Sequence, residues 1–378
     1  MYAVLSQRLA LDVNTPQYLL ASASPLQLMQ TIHEQVANHM RVCVAVGDGV
    51  ESLRAVASSE PILSEAASRV MQESKMFSMP AALAMVLTGF CISQGDRGEL
   101  LVAAFFTWAR DQVILNTPAS TGGQLCSYFS VKSLLRHLFS DSTFTSMSTQ
   151  FPPLYHSKAA RQPFGKVFDC AHMHFNHFIK PQEQKLLARK YLNLYMARGA
   201  AALGANCQSG FDAVYPYLYG GTDLDPKKVG FIIVQVKNDS NVQRAQADVF
   251  PNMDPFKCGL LDESDLEDGI FPIPIIRFLF SLSSTKRSPP SVTPPKDTTV
   301  EENESPNSKF TSYDFVCSGV SENILRPVAE SPDVWVSLAN KHNSWSSFYS
   351  VPEPDVLRSQ LPGCGTNKGH WANWVEDL

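Results

Sequence analysis

Two short apolar runs rich in β-branched and aromatic residues, 211–218 (FDAVYPYL) and 229–236 (VGFIIVQV), predict paired strands bounded by turn residues. Gly210 opens the first, Gly220 and Gly221 close it, and Asp223 and Asp225 stand in the connection. Antiparallel pairing with matched ends sets the start of the first run beside the end of the second. Asp212 then meets Gln235 and Lys237, which are two apart and share a face. A further run, 275–282, predicts another core strand, 41–46 a short one, and 313–317 an edge strand.

Helical spacing predicts most of the remainder. Ser24-Pro25 opens a helix to about residue 40 through Leu26, Met29, Ile32 and Val36. Another follows the Gly47-Asp48-Gly49 turn at 51–58. A third, 58–71, sets Ser64, Glu65 and Ser68 away from its apolar positions, and 79–92 reads as a buried helix too short to span a bilayer. Gly95-Asp96 caps a helix with the apolar face Leu100, Ala103, Ala104, Thr107 and Trp108, and with Glu99 in its first turn. Residues 117–123 read as a loop, 131–139 as a helix and 140–162 as a long surface connection. In the stretch 168–180, His172, His174 and Asn176 alternate with Met173 and Phe175, so a strand would set both histidines on one face. A polar edge fits them better than a zinc site, because the spacing matches no zinc pattern.

The span 181–203 predicts the clearest amphipathic helix, with Leu186, Leu187, Tyr191, Leu194, Tyr195 and Ala202 as its stripe. Lys185, Arg189, Lys190 and Arg198 then form an exposed basic face suited to a nucleic-acid backbone. After the acidic stretch 262–268 and the strand at 275–282, with no obvious helix before that strand, 283–308 lacks periodicity and reads as a disordered linker. The tail carries Trp335, Trp345, Trp371 and Trp374, better suited to anchoring on a core than to stacking bases.

Composition narrows the class. In 378 residues, 44% are hydrophobic and 18% charged, enough to bury a core, and a net charge of -5 argues against coating nucleic acid non-specifically. Between Lys180 and Asn238, however, eight basic residues oppose four acidic ones. Eight scattered cysteines without a C-x-x-C fit buried thiols in a reducing compartment. The first residues lack the apolar core of a signal peptide. These features imply an intracellular protein, cytoplasmic or nuclear, with no membrane association. No phosphate-binding G-x-x-x-x-G-K-[ST] occurs, so no nucleotide site is expected.

A carboxylate at Asp212 and an amide oxygen at Gln235 suit a hard divalent cation, and the Lys237 ammonium can orient water or offset phosphate charge. The same residues also fit a turn-capping aspartate followed by an ordinary strand end. The stretch resembles the restriction-endonuclease-like PD-(D/E)xK nucleases, in which a helix precedes three strands bearing an Asp and then an acid-x-Lys. It looks most like the version in fungal proteins related to Crinkler effectors and retrotransposon hot-spot proteins, where a Gln can replace the acid.

The resemblance implies a mixed α/β sheet core flanked by helices at 91–282 and a further strand after the central hairpin. Around that core it leaves a largely helical N-terminal region at 1–90, a linker at 283–309 and a C-terminal extension at 310–378. It implies Mg²⁺ or Mn²⁺ held by Asp212, Gln235 and Glu99, with Lys237 completing the catalytic set, and DNA or RNA as partner. Glu99 equally fits a residue that complements the helix dipole. The amide at Gln235 departs from the superfamily's acid. Phosphodiester hydrolysis and non-catalytic binding of nucleic acid or a host factor on the same scaffold therefore both stand. An ATPase region precedes this part in some such proteins, so the chain reads as a C-terminal portion, a shortened paralogue or an orphan copy.

Overall fold

The computed structural model describes residues 2–9, 41–46, 53–57, 60–74, 77–89, 94–117, 128–181, 183–205, 208–238, 246–267, 273–282, 291–293 and 308–340. The expected helix at 24–40, the turn at 47–49, most of the loop at 117–123, and Trp345, Trp371 and Trp374 lie outside these residues. The fold is α/β, a mixed parallel and antiparallel sheet with a mostly helical N-terminal region.

In chain order, α1 (Tyr2–Leu9) is followed by an antiparallel pair, β1 (Arg41–Val46) and β2 (Leu53–Ala57). The expected helix at 51–58 is thus a strand, since the neighbouring β1 offers a backbone ladder that five residues of helix would not match. Three helices follow, α2 (Glu60–Glu73), α3 (Met79–Gly89) and α4 (Gln94–Leu115). Then come β3 (Phe129–Ser130), α5 (Val131–Leu138) and α6 (Asp141–Ser148). Helix α6 replaces the start of the expected surface connection. The Ser140 side chain accepts from the Thr143 N–H and caps it, while Phe144 and Met147 are buried.

The sheet continues through β4 (Ala171–Met173) and β5 (His177–Ile179), α7 (Arg189–Ala197), β6 (Ala200–Leu203), β7 (Ala213–Tyr219) and β8 (Val229–Lys237). The expected helix at 181–203 is therefore shorter. Gly199, at φ 63°, turns the chain out of the helix, and the alanines after it are small enough to lie buried as a strand between β5 and β7. The stripe shifts with it: Leu187, Leu192 and Met196 are buried, whereas Leu186 and Leu194 are exposed. Likewise His172 sits on β4 but His174 falls beyond its end, so the two do not share one strand.

A helix that the sequence did not announce, α8 (Gln246–Asn252), bridges β8 to β9 (Ile275–Ser281), which runs parallel to β8. Last come β10 (Ser291–Thr293), β11 (Ser312–Ser318) and α9 (Pro332–Asn340). The strand expected at the edge, β11, lies inside, parallel to β9 and buried, while β10 inside the supposed linker covers it. Other residues of that linker lie outside the described ones.

The sheet order is β10-β11-β9-β8-β7-β4-β3, with β6 also on β7 and β5 on β6. Because β7 is antiparallel to β8 and to β6, strands β5, β6, β8, β9 and β11 all point the same way. Their C-terminal ends and the start of β7 form one edge. Strand β8 is buried except at Lys237, as expected of a central strand covered on both faces. Helix α4 packs on the sheet through Phe106, stacked on Tyr215 at 4.4 Å and edge-on to Phe278 and Phe280. Trp335 of α9 is fully buried against Phe105.

A polar cluster lies beneath the N-terminal helices. Ser64, Glu65 and Ser68, expected on an outer face, are buried instead. Ser64 donates to the Gln7 carbonyl, while Glu65 and Ser68 meet Arg110 and Asp111, whose charges, like that of Arg8, need partners once removed from water. Arg8 grips both oxygens of Asp111 at 2.5 and 2.8 Å, and Arg110 reaches Asp111 at 3.1 Å and Glu65 at 2.8 Å. The guanidiniums also donate to the carbonyls of Asn176 and Phe175, tying α1, α2 and α4 to the approach to β5.

Candidate active site at the C-terminal edge of the sheet

The edge at which most strands of an α/β sheet end is where ligands bind in such folds, and four elements converge there. Asp212 stands one residue before β7. Its backbone N–H donates to the Val234 carbonyl at 2.8 Å, which sets its carboxylate at the end of β8. Asp212 Oδ2 accepts from the Val236 N–H at 2.5 Å and from Gln235 Nε2 at 2.6 Å. With its amide nitrogen turned to the carboxylate, Gln235 keeps a carbonyl oxygen for another partner. The side chain of Gln235 is buried and Lys237 is exposed, on the same face of β8.

Helix α4 brings the second carboxylate. Its start touches the end of β8 at Gly98, where a Cβ would sit 3.0 Å from Asn238 Cβ and 3.1 Å from Val236 Cγ1. A side chain here would press on both neighbours, so glycine lets the helix lie close against the end of β8. The contact carries Glu99, in the next position, into the field of Asp212. The helix begins at Gln94, so Gly95 and Asp96 belong to its first turn and are not its cap.

Burial, then the charges of Asp212 and Asp96, push the Glu99 carboxyl up to about 7 against the pull of Lys180 and Lys237. Burial also raises Asp212 to about 6, although the Val236 N–H, Lys237 and Gln235 favour its ionised form. The residues expected from separate parts of the sequence, Glu99, Asp212, Gln235 and Lys237, thus belong to one site.

Asp96 and Lys180 complete its electrostatics, and the sequence reading assigned neither to it. Lys180 directly follows β5, which is parallel to β6, so the topology alone delivers it to this edge. No such pairing could be read from the local sequence. Among the described residues, no three His, Cys, Asp or Glu side chains converge to hold a metal ion. The donor set is two carboxylates and an amide oxygen, which suits Mg²⁺, since that ion keeps waters and takes few protein ligands.

The expected basic face is not at this edge. Arg189 is buried: its guanidinium donates to the carbonyls of Val229, Pro226 and Lys227 and pairs with Asp265 at 2.9 Å. It pins the start of β8, eight residues and about 25 Å along the strand from Lys237. It therefore cannot contact a phosphate backbone. Lys185, Lys190 and Arg198 are exposed, with Lys185 paired to Glu183 at 2.5 Å. Of the expected thiols, Cys258 and Cys317 are buried and free.

The two raised carboxyls make a prediction for stability. Each binds its proton more tightly folded than unfolded, so its favourable contribution is full below about pH 4. That contribution is lost as pH rises toward about 6 for Asp212 and about 7 for Glu99. Glu99→Gln, neutral throughout, is expected to raise stability at pH 8 by about 1 kcal/mol after solvent screening and by almost nothing at pH 4.5. Urea unfolding at the two pH values checks this; an equal effect at both would show that the carboxyl is unperturbed.

Fold and site together describe an α/β protein with a two-carboxylate centre at the C-terminal edge of its sheet. Residues 3–324 match the profile of the family described as a domain of unknown function (DUF8736), and the chain belongs to that family. No curated protein and no solved structure matches the chain. No helix among the described residues is long and apolar enough to cross a membrane.

Proposed function

We propose that the Asp212 edge hydrolyses phosphodiester bonds in nucleic acid with the help of a divalent cation. The observation that carries this reading is the convergence of Glu99 with Asp212, Gln235 and Lys237, two poorly solvated carboxylates beside a lysine. Such a pair gains when a cation replaces the proton that each tends to keep. The order α7, β6, β7, β8, α8, β9, with Asp212 at the second of three strands and Gln-x-Lys at the third, supports the resemblance to PD-(D/E)xK nucleases. A restriction-endonuclease-like core of this kind is part of the proposal.

In this reading Asp212, Glu99 and the Gln235 carbonyl would hold Mg²⁺ or Mn²⁺. When bound, the ion supplies charge to the phosphate and acidifies water. Glu99 would take the proton of the attacking water as its oxygen bonds to phosphorus, and the bond to the leaving oxygen breaks, that oxygen taking its proton from solvent water. Lys237 offsets the charge that gathers on the phosphate. The direct experiment is cleavage of labelled single- and double-stranded DNA and RNA by the full chain with Mg²⁺, with Mn²⁺ and with EDTA. Cleavage in the presence of either ion and none with EDTA is expected; cleavage indifferent to chelation would remove the metal from the proposal.

One observation favours a second reading, nucleic-acid or host-factor binding without cleavage. Gln235 gives Asp212 a neutral donor where the superfamily places an acid. Salt-sensitive binding with no cleavage under any of these conditions would select it.

A further inference from the structure

Between Tyr128 and Cys170 five basic residues, Lys132, Arg136, Lys158, Arg161 and Lys166, oppose only Asp141 and Asp169, although the chain as a whole carries a net charge of -5. Both acids are already answered. Asp169 holds Lys132 at 2.5 Å, and Asp141 holds Arg326 at 2.6 Å. Arg136, Lys158, Arg161 and Lys166 have no carboxylate partner among the described residues, so their charge faces solvent without neutralisation.

Helix α6 and its exit gather three of these cations along one ridge. The Arg136 guanidinium lies over Phe144 of α6, 5.1 Å from the ring centre. Gly165, in the short helix Phe164–Val167, packs on Ser148, whose carbonyl oxygen would lie 3.0 Å from an added Cβ. The Phe164 N–H donates to the Gln150 carbonyl at 2.8 Å, and Lys132 Nζ reaches the Gly165 carbonyl from α5 at the same distance. These contacts set Lys166, the next residue and an exposed one, beside the end of α6. Arg161 lies over Phe151, 5.4 Å from the ring centre. The cations thus follow the stretch 144–151, roughly 12 Å at the rise of a helix.

The chemistry between them narrows the partner. After Asp141 the exposed positions of α6 are Ser142, Thr145 and Ser146, so hydroxyls lie among the cations, and both are donors to phosphate oxygens. Phe151 is 50% exposed, and an open ring beneath a guanidinium offers a flat platform to an unpaired base. A duplex has no free base for it. An anionic membrane would answer the charge but would meet hydroxyls where an interfacial helix inserts apolar side chains. The ridge is also distinct from the Asp212 edge. The Cys170 carbonyl accepts from the Gly220 N–H at 2.9 Å, and Gly220 lies eight residues beyond Asp212, about 25 Å at the rise of a strand. The cleft near that end, bordered by His172 and His174, is lined by no Lys, Arg, Asp or Glu, so the charge belongs to the ridge and not to the cleft.

We propose that this ridge binds single-stranded nucleic acid, with phosphates against Arg136, Arg161 and Lys166 and one unpaired base on Phe151. Its occupancy does not require the Asp212 edge to cut anything.

Fluorescence anisotropy of the full chain with a labelled oligothymidylate of about 20 nucleotides, in EDTA and between about 50 and 200 mM salt, tests the assignment. Arg136→Gln/Arg161→Gln/Lys166→Gln keeps much of each stem and removes the charges. It is expected to bind at least tenfold more weakly at the lower salt and to lessen the slope of log affinity against log salt by about 2, the value for three phosphate contacts on a single strand. Phe151→Ala is expected to bind about fivefold more weakly or worse with the slope unchanged. Lys185→Gln/Lys190→Gln/Lys227→Gln removes equal charge from exposed lysines elsewhere and should alter affinity by no more than about twofold. Urea midpoints show which variants stay folded; were the triple ridge variant to unfold, Arg136→Gln and Lys166→Gln singly should each lessen the slope by about 0.7. Absence of salt-sensitive binding by the wild type, a loss in the control variant as large as in the ridge variant, tighter binding of a duplex of the same length, or preference for phosphatidylserine vesicles over the oligonucleotide would overturn the proposal.

Discussion

Asp212→Asn is expected to lower metal-dependent cleavage about 100-fold or more, and Lys237→Ala to do so by a comparable factor, the usual loss when one preorganised charge is removed from a hydrolytic site. Asp212 links both strands of the hairpin to the proposed cation: its carboxylate accepts from Val236 and Gln235 while its backbone donates to Val234. The asparagine keeps size and can still accept one of these hydrogen bonds, so the fold should survive. It also removes a carboxyl that burial holds at about 6, so stability at pH 8 should stay level or rise. Lys237 is exposed, and its removal should leave stability within about 0.5 kcal/mol. Initial rates in Mn²⁺ together with urea unfolding separate the two effects. Cleavage at the wild-type rate by both folded variants would show that Asp212 and Lys237 do not carry the chemistry.

Asp111→Ala should cost about 3–5 kcal/mol, the largest stability loss expected anywhere among the described residues. Burial by itself would raise this carboxyl, yet the charge and hydrogen bonds of Arg8, aided by Arg110, hold it below the usual carboxylate range. Without it, Arg8 loses its paired acid, and Arg110 keeps only Glu65. Both side chains are wholly buried, so water cannot take the place of the lost partner. The double variant Arg8→Met/Asp111→Leu removes charge and partner together and should recover much of the loss. Urea midpoints at pH 7 decide the matter; an Asp111→Ala midpoint close to that of the wild type would show that the cluster adds nothing to stability. Because α1, α2 and α4 meet there, this loss would also loosen the helix that carries Glu99.

Much of the strand content was legible locally. The runs at 229–236 and 275–282 are apolar and β-branched because they are covered on both faces, and burial on two sides leaves a composition that no helix face would need. The hairpin was legible for the same reason, and its geometry alone brought Asp212 to Gln235. The helix ending at Leu115 was also readable, although it starts at Gln94, before the expected cap, so that Asp96 and not Glu99 is the acid of its first turn. Where the reading failed, tertiary packing outweighed local pattern. The alanines at 200–202 favour helix in isolation, yet Gly199 turns the chain and β5 and β7 supply ladders on both sides. Ser64, Glu65 and Ser68 are polar and look solvent-facing until distant parts of the chain arrive to pair with them, the Gln7 carbonyl with Ser64 and Arg110 with Glu65 and Ser68. Arg189 resembled part of a basic surface because three carbonyls at the start of β8 leave no mark in its own neighbourhood.

The sequence by itself therefore determined which segments are buried strands, that two of them form a hairpin, and that Asp212, Gln235 and Lys237 share one end of it. These depend on side-chain period and turn residues, which act over a few positions. Only the tertiary structure decided that Glu99, Asp96 and Lys180 join that end, that β9 runs parallel beside β8 and β11 parallel beside β9, and that two histidines border a cleft at the other end of β7. Those outcomes depend on which edges pair and which helix crosses which strand, and such choices are made by the burial of the whole core.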